Sequence, residues 1–406
     1  MIDPLFSAQL DAKFPDVKTI GVAVSGGGDS MALLESARRH SATTKQKLCV
    51  ATVDHGLRDT AQAEIDLVAD FCKSHKLSWT CLQWTGWDGT GNLQSKARDA
   101  RRDLLARWAS DNDVDVILMG HTKDDVAETF LMRLARGSGV DGLSAMSAVF
   151  EHEGIPFFRP LLESTRAELR AYLVDAKVNW SEDPSNEDER FDRVKIRNAW
   201  ETLEGLGLTR ARLATTAGAM ISARKALQTQ TRLAAEHSIK PQQLGFVEIS
   251  LSDFIEQPEE IQQRLMCHAM SWITGQPYRP RKTALDGFIE SAISGKTASL
   301  QGCLLLPSKG TLILCREPNA VSKGETPKLF DNRWACATDA KQITADQISS
   351  FRNWKDICAK REILASLPSM IDDDGNPLLP DPTSNWGKHF VLKRSIHEFF
   401  TTIESH

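Results

Sequence analysis
The segment Ser25-Gly26-Gly27-Gly28-Asp29-Ser30 constrains this chain more than any other. It stands where a short apolar run at 19–24 gives way to a helical pattern at 31–40, so it reads as the turn between a strand and a helix. Three glycines, Gly26, Gly27 and Gly28, let backbone N–H groups come close to an anion, and the helix N-terminus that follows adds a favourable dipole. Ser25 and Ser30 can add hydroxyl donors. Asp29 would repel a phosphate; it suits Mg2+, which binds through one or two carboxylates plus phosphate, or else a helix cap. No lysine follows the glycines, and the spacing differs from the dinucleotide fingerprint, so both common nucleotide loops are excluded.

From 18 to about 161 the pattern alternates. Strand-like runs at 47–54, 77–84 and 114–120 are separated by helical patterns at 61–75, 92–110 and 124–136. In the 92–110 helix Leu93, Ala97, Ala100, Leu104 and Trp108 recur at steps of three and four. Such alternation predicts a Rossmann-like α/β domain, a parallel sheet with helices on both faces and ligands at the carboxyl ends of its strands. Further helices are predicted at 163–176 and at 193–228, with a break near Gly205 and Gly207. The first domain is expected over 1–215. A smaller α+β domain follows over 216–316, with helices at 258–274 and 283–294 and β runs at 297–306 and 310–315. A linker rich in Pro, Asn, Ser, Lys and Gly at 317–328 leads to a third unit, also α+β, at 329–406.

Composition narrows the class. No apolar run approaches the roughly 18 residues of a membrane span, and 1–15 lacks a basic flank followed by an apolar stretch, so neither membrane nor secretory signal is expected. The eight cysteines form no C-x-x-C pair, which argues for thiols in a reducing cytoplasm rather than zinc or disulfides. A net charge of −5 does not advertise a nucleic-acid binder, but arginines cluster locally at Arg98, Arg101, Arg102 and Arg107, at Arg133 and Arg136, and at Arg190, Arg193 and Arg197. Arg279, Arg281 and Lys282 form another such group.

Three segments beside the glycine loop carry the remaining chemistry. Val53, Asp54 and His55 follow the second strand at the edge where a nucleoside would lie. Gly120-His121-Thr122-Lys123-Asp124-Asp125 follows another strand, and Thr122 with Asp125 has capping-box spacing. His121 can polarise a phosphate or carbonyl oxygen, and Asp125 can bind Mg2+ or a substrate ammonium. A phosphate site without a loop lysine needs a cation from elsewhere, and Arg98 is the candidate.

The loop resembles the pyrophosphate loop of ATP pyrophosphatases, and the blocks as a series resemble the tRNA(Ile)-lysidine synthetases. The resemblance runs through 25–30, Val53 to Arg58, Ala97 to Arg101, Gly120-His121, Asp125 to Thr129, Arg133 to Leu143, Arg159 to Leu162, and Asp183-Pro184-Ser185-Asn186 with Arg193 and Arg197. Its most specific parts are the Arg-Gly-Ser-Gly block at 136–139 and the Asp-Pro-Ser-Asn block. Gln94, Arg102 and Thr122 depart from the family, which usually has Glu, an aromatic and His there.

The resemblance implies an adenine-nucleotide alpha-hydrolase-like domain followed by two C-terminal domains. It implies that ATP, with Mg2+, adenylates the 2-oxo group of the wobble cytidine in the CAU anticodon of an isoleucine tRNA. The ε-amine of free L-lysine then displaces AMP. It points to Asp29, Arg98, His121 and Asp125 for catalysis and to Arg133, Arg136, Arg193, Arg197, Arg279 and Arg281 for tRNA, and leaves room for a homodimer in the cytoplasm. The alternatives are a related tRNA base thiolase, a small-molecule ligase, or a non-catalytic tRNA-binding protein with a relic nucleotide fold.

Overall fold
The computed structural model describes residues 2–56, 61–85, 87, 89, 93–182, 192–276, 279–322, 328–342, 348, 360–371, 377–381 and 389–405. Leu57, Arg58, Arg190 and the Asp183-Pro184-Ser185-Asn186 turn lie outside the described residues. Contacts divide the chain into two compact units, Met1–Arg224 and Lys225–His406.

The first unit runs α1 (Ile2–Lys13), β1 (Thr19–Ala23), α2 (Gly28–Thr44), β2 (Lys47–Asp54), α3 (Ala61–Ser74), β3 (Ser78–Gln83), α4 (Leu93–Asp111), β4 (Val116–Met119) and α5 (Lys123–Ala135). It continues with α6 (Val140–Leu143), β5 (Val149–His152), β6 (Ile155–Phe158), α7 (Arg166–Ala176), α8 (Asp192–Asn198), α9 (Trp200–Gly205) and the first half of α10 (Arg210–Ser238). The sheet has the order β3-β2-β1-β4-β6-β5, parallel except for the β5–β6 pair.

Side chains alternate across this sheet and fill two cores. Ile20, Val22, Val50, Val116 and Leu118 face the side packed by α1, α2 and α7, where Phe6, Leu33 and Leu169 are buried. Ala23, Ala51, Ile117 and Met119 face the other side, where α4 supplies Leu105, Trp108 and Ala109. Gly21 belongs to this second face because Trp108 and Val114 lie so close that a Cβ would come within 2.8 Å of Val114.

In this unit the sequence pattern does not predict α1, the short α6 or the β5–β6 hairpin. Helix α1 closes the first core through Phe6 and Leu10. The β5–β6 hairpin turns at Glu153 and Gly154, whose φ values of 51° and 76° are the paired left-handed conformations of a tight two-residue turn. The 193–228 pattern resolves into α8, α9 and α10, interrupted at Ala199 and again around Gly207.

The second unit is built on an antiparallel sheet. It continues with β7 (Ile239–Pro241), β8 (Val247–Ser250), α11 (Leu251–Ile255), α12 (Glu259–Thr274), α13 (Lys282–Ile293), β9 (Ala298–Leu300), β10 (Cys303–Ser308) and β11 (Thr311–Arg316), and the strand order is β7-β8-β11-β10-β9. Alternate residues of β10 and β11 again serve two cores. Leu305, Leu312 and Leu314 pack with Leu265, Ala269 and Phe288 of α12 and α13. Leu306, Ile313 and Cys315 pack with Phe330, Trp334, Leu364 and Phe390. Residues on the two sides of 317–328 thus share one core, although the strands after that stretch belong to separate small sheets. The ion pair of Arg316 with Asp331, 2.8 Å long and nearly water-free, joins the flanks of that stretch. The chain then returns: in the helix Ile396–Thr401, Phe399 is buried in the first of these cores, edge-on to His268 and Trp272.

Among the described residues no helix is long and apolar enough to cross a membrane. Phe399→Ala should lower the unfolding free energy of the second unit by roughly 3–5 kcal/mol, read from urea melts, because a full aromatic ring is lost from a packed core. A change below about 1 kcal/mol would mean that the terminal helix is dispensable to that core.

Candidate active site
The glycine loop leaves the carboxyl end of β1 and enters α2, as the sequence pattern predicts. Gly26 has φ of +88°, and a Cβ there would lie 3.0 Å from the Glu64 carbonyl oxygen, so both conformation and space demand glycine. Ser30 Oγ donates to the Gly27 carbonyl at 2.8 Å. With its proton committed, that oxygen accepts from the N–H and hydroxyl of Ser25, each at 3.2 Å. The two serines therefore brace the loop from within. No side chain caps α2 at Gly27, which leaves the first-turn N–H groups for an anion. Gly120, just beyond β4, approaches so closely that a Cβ would stand 3.0 Å from the Asp29 carbonyl oxygen and the Ser30 Cα. On the other side, the Ser181 N–H donates to the Gly26 carbonyl at 2.9 Å.

Two cavities open here. One, of about 250 Å3, is lined by the loop, His121, Asp125, Arg166, Arg170 and Arg197 among others. The second, of about 280 Å3, is lined by Val53, Asp54, His55, Glu64 and Ile65. Ser25 and Arg101 line both. Arg101 stands on α4 without a hydrogen-bond or ion-pair partner among the described residues. Burial and the charge of Arg98 push its pKa below the usual arginine value. A cation held this way at the junction of two cavities is suited to an anion that spans them.

The first cavity rests on a charge network. Arg166, in the first turn of α7, donates to Asp125 Oδ1 at 2.6 Å, to Glu128 Oε1 at 2.5 Å and to Asp29 Oδ2 at 3.3 Å. Arg197 donates to the same Glu128 at 2.8 Å, and Arg170 reaches Asp29 at 3.5 Å. Asp125 Oδ2 accepts the Thr122 N–H at 2.9 Å, the capping box that its spacing predicts. Burial alone would raise the Asp125 pKa, but Arg166 and the Thr122 N–H outweigh it and hold the carboxyl below its ordinary value. Asp29 goes the other way: burial, reinforced by the Asp125 charge, lifts it despite Arg166 and Arg170. Asp124 takes no part in the cavity; it accepts the Arg166 N–H at 2.9 Å and pairs with Arg210 at 2.7 Å. No group of three or more His, Cys, Asp or Glu among the described residues could hold a metal alone. The loosely held Asp29 fits Mg2+ only as one carboxylate beside phosphate oxygens.

His121 has a defined role as a donor. Arg159 Nε donates to its Nδ1 at 3.2 Å, which leaves the proton of a neutral ring on Nε2. Burial and the Arg159 charge push the His121 pKa down to about 3, so the ring is neutral at physiological pH. Trp180, half-buried, lies beside the loop: its Cδ1 is 3.3 Å from where a Cβ on Gly28 would stand, and its Nε1 donates to Glu182 at 3.0 Å.

The residues singled out in the sequence separate clearly. Ser25, Gly27, Gly28, Asp29, Ser30, His121, Asp125 and Arg197 line the first cavity, Val53, Asp54 and His55 the second, and Gly26 lines neither. Arg98 lines neither; Arg101, one turn on, lines both. Arg133 donates to the carbonyls of Gly142 and Ala145 at 2.6 and 2.8 Å, and Arg136 pairs with Asp192 at 2.9 Å. Arg279 and Arg281 belong to the second unit. Sequence reasoning missed Arg101 as the shared cation, together with Glu128, Arg166 and Arg170. Two local signals point to some of them: Glu128 is three residues beyond Asp125 on the same helical face, and Thr165 with Glu168 forms a capping box that sets Arg166 in the first turn of α7.

A parallel sheet with a Ser-Gly-Gly-Gly-Asp-Ser turn at its carboxyl edge defines a PP-loop ATP-binding domain, and residues 5–202 match the family described as PP-loop domain. The chain is 43% identical to the tRNA(Ile)-lysidine synthase of Ruegeria pomeroyi over 409 residues, covering 98% of this chain and 96% of the relative. It is 35% identical to the enzyme of that name from Wolbachia pipientis wMel, covering 90% of this chain and 89% of the relative. The chain belongs to the tRNA(Ile)-lysidine synthase family.

Two outcomes test the site. Gly120→Ala should weaken ATP binding about tenfold in calorimetry, since a methyl group pressed onto the loop backbone costs on the order of 1–3 kcal/mol. In 15N NMR, His121 should keep the signature of a neutral Nε2–H ring from about pH 5 to pH 8, whereas an ordinary titration near 6.5 would contradict the tautomer assigned here.

Proposed function
We infer that this protein uses ATP to join free L-lysine to C2 of the wobble cytidine in the CAU anticodon of an isoleucine tRNA, forming lysidine and releasing AMP and pyrophosphate. The cytidine O2 attacks the α-phosphorus and pyrophosphate leaves. The ε-ammonium of lysine gives up a proton to solvent, the resulting amine attacks C2, AMP leaves, and the nitrogen sheds a second proton. The observation that carries the reading is the meeting of two cavities at Ser25 and Arg101, in a chain similar over nearly its whole length to tRNA(Ile)-lysidine synthases.

In this reading the second cavity takes the nucleoside and the glycine loop takes the β- and γ-phosphates. Arg101 then faces the α-phosphate, where negative charge builds during adenylation. His121 Nε2–H donates to an oxygen of the reacting group, and its neutrality suits a donor that must not compete for the lysine proton. Asp125, held ionised, orients the lysine ammonium. Asp29 would hold Mg2+ beside the phosphate oxygens, where the ion would offset the charge of the leaving pyrophosphate, and the reaction belongs to the cytoplasm. No described cysteine lines either cavity, so the thiolase alternative lacks a sulfur at this site among the described residues.

Labelled lysine should enter an isoleucine tRNA transcript bearing CAU, with ATP and Mg2+, and should not enter methionine tRNA. ATP cleavage to AMP without label would overturn the acceptor. Arg101→Gln should lower kcat about 10²–10³-fold, as loss of one preorganised donor does. Asp125→Asn, which keeps a capping acceptor, should chiefly raise KM for lysine; an unchanged KM would remove Asp125 from lysine binding.

A further inference from the structure
Among the described residues four arginines line the first cavity, and they differ in how fully they are engaged. Arg166 has a carboxylate on each of its three nitrogens, Asp29 on Nε, Glu128 on Nη1 and Asp125 on Nη2. Arg197 is paired with the buried Glu128 at 2.8 Å. Arg101 stands where the two cavities meet and faces the α-phosphate in the function inferred above. Arg170 is held loosely. Its Nε donates to Glu182 at 3.2 Å and its Nη1 to Asp29 at 3.5 Å, both long for charged partners. Its Nη2 has no hydrogen bond among the described residues. The Glu182 side chain is 70% exposed, so water weakens that pair further.

The loop is shaped to admit this side chain. Gly28 lies outside the left-handed region, so its conformation would accept any residue. Space forbids one: a Cβ there would stand 2.6 Å from Arg170 Nη1 and 3.0 Å from its Cζ. Gly26 makes the turn, whereas Gly28 makes room for a guanidinium. Residues 180–182 complete the niche. The Ser181 N–H is bonded to the Gly26 carbonyl, and Trp180 Nε1 donates to Glu182 at 3.0 Å. Glu182, fixed in this way, engages the Nε edge of Arg170 and leaves the Nη groups for another anion.

We propose that Arg170 is the cation that receives the leaving pyrophosphate, and that position 28 is glycine so that this guanidinium can reach the loop. This rests on the reading above that the loop takes the β- and γ-phosphates. When the cytidine O2 attacks the α-phosphorus, the bridging oxygen departs with the electron pair, and the new charge falls on the β-phosphate. No lysine follows the glycines to meet it. Arg166 and Arg197 are committed to carboxylates, so Arg170 is the loop-side guanidinium that can turn to it at little cost. Its Nη1 exchanges the long contact with Asp29 for a phosphate oxygen, which leaves that carboxylate to the metal.

The test is calorimetric binding of magnesium pyrophosphate and, separately, of AMP to the full chain. Arg170→Ala should weaken pyrophosphate about tenfold, the loss of one charge-assisted bond, and leave AMP within about twofold. Arg170→Lys, which keeps the charge without the fork, should recover most of that loss. Gly28→Ala should weaken pyrophosphate about as much as Arg170→Ala, because its methyl group displaces the guanidinium, and in the double variant the two losses should not add. Equal weakening of AMP and pyrophosphate by Arg170→Ala would mark a merely structural arginine and overturn the proposal. So would an unchanged pyrophosphate affinity in that variant, an outcome that leaves the loop reading intact. Additive losses would show that Gly28 serves the loop backbone itself and overturn its part. Wild-type protein that binds AMP but no pyrophosphate would overturn the loop reading and the proposal with it. A loss specific to pyrophosphate, in a protein that incorporates no lysine, would support the proposal and overturn only the acceptor.

Discussion

The site depends on one guanidinium. Arg166 is the counter-charge for Asp29, Asp125 and Glu128, three carboxylates from the loop and from α5 that would otherwise repel one another in a largely water-free space. Its own pKa is driven further up, because those carboxylates outweigh the burial that would lower it. A charge of this kind does not owe its place to net stability, since burying ions is costly even when they are paired. What it supplies is geometry. Through it α7 is fastened to α5 and to the glycine loop, so that the anion-binding turn and the acidic face across the cavity hold a set distance. Arg170, one turn further along α7, repeats the link to Asp29 more loosely.

Much of the first unit was legible in the sequence because it is encoded locally. Strands β1 to β4 and the helices between them follow from runs of period two and period three to four, and the glycine loop from six adjacent residues. What was not legible is what depends on distant pairing. Arg166 meets Asp29 across 137 residues, and nothing near either residue announces the other. Arg98 and Arg101 differ by a single helical turn, and only the angle at which α4 packs on Gly21 through Trp108 decides which of them reaches the cavities. Helix α1 was overlooked because a short amphipathic opening segment looks like any polar terminus.

The second unit shows the same limit in another form. A stretch at 317–328 with two prolines and a glycine reads locally as a divider, yet the strands before it are apolar on both faces and must be covered twice. Leu306, Ile313 and Cys315 would be exposed without the residues that come after the divider. The alternation in β10 and β11, in which neighbours such as Leu304, Leu305 and Leu306 are all apolar, was the available sign that one sheet serves two layers.

The segment that closes over the glycine loop also equips the protein with an optical reporter. Trp180 sits against Gly28, within reach of the Arg170 charge at 5.9 Å, and is tied to Glu182. Indole emission responds to charges placed along its long axis. An anion settling in the loop would change the field of Arg170 and Asp29 around that ring, so the contribution of Trp180, one of ten tryptophans in the chain, should report occupancy of the phosphate site.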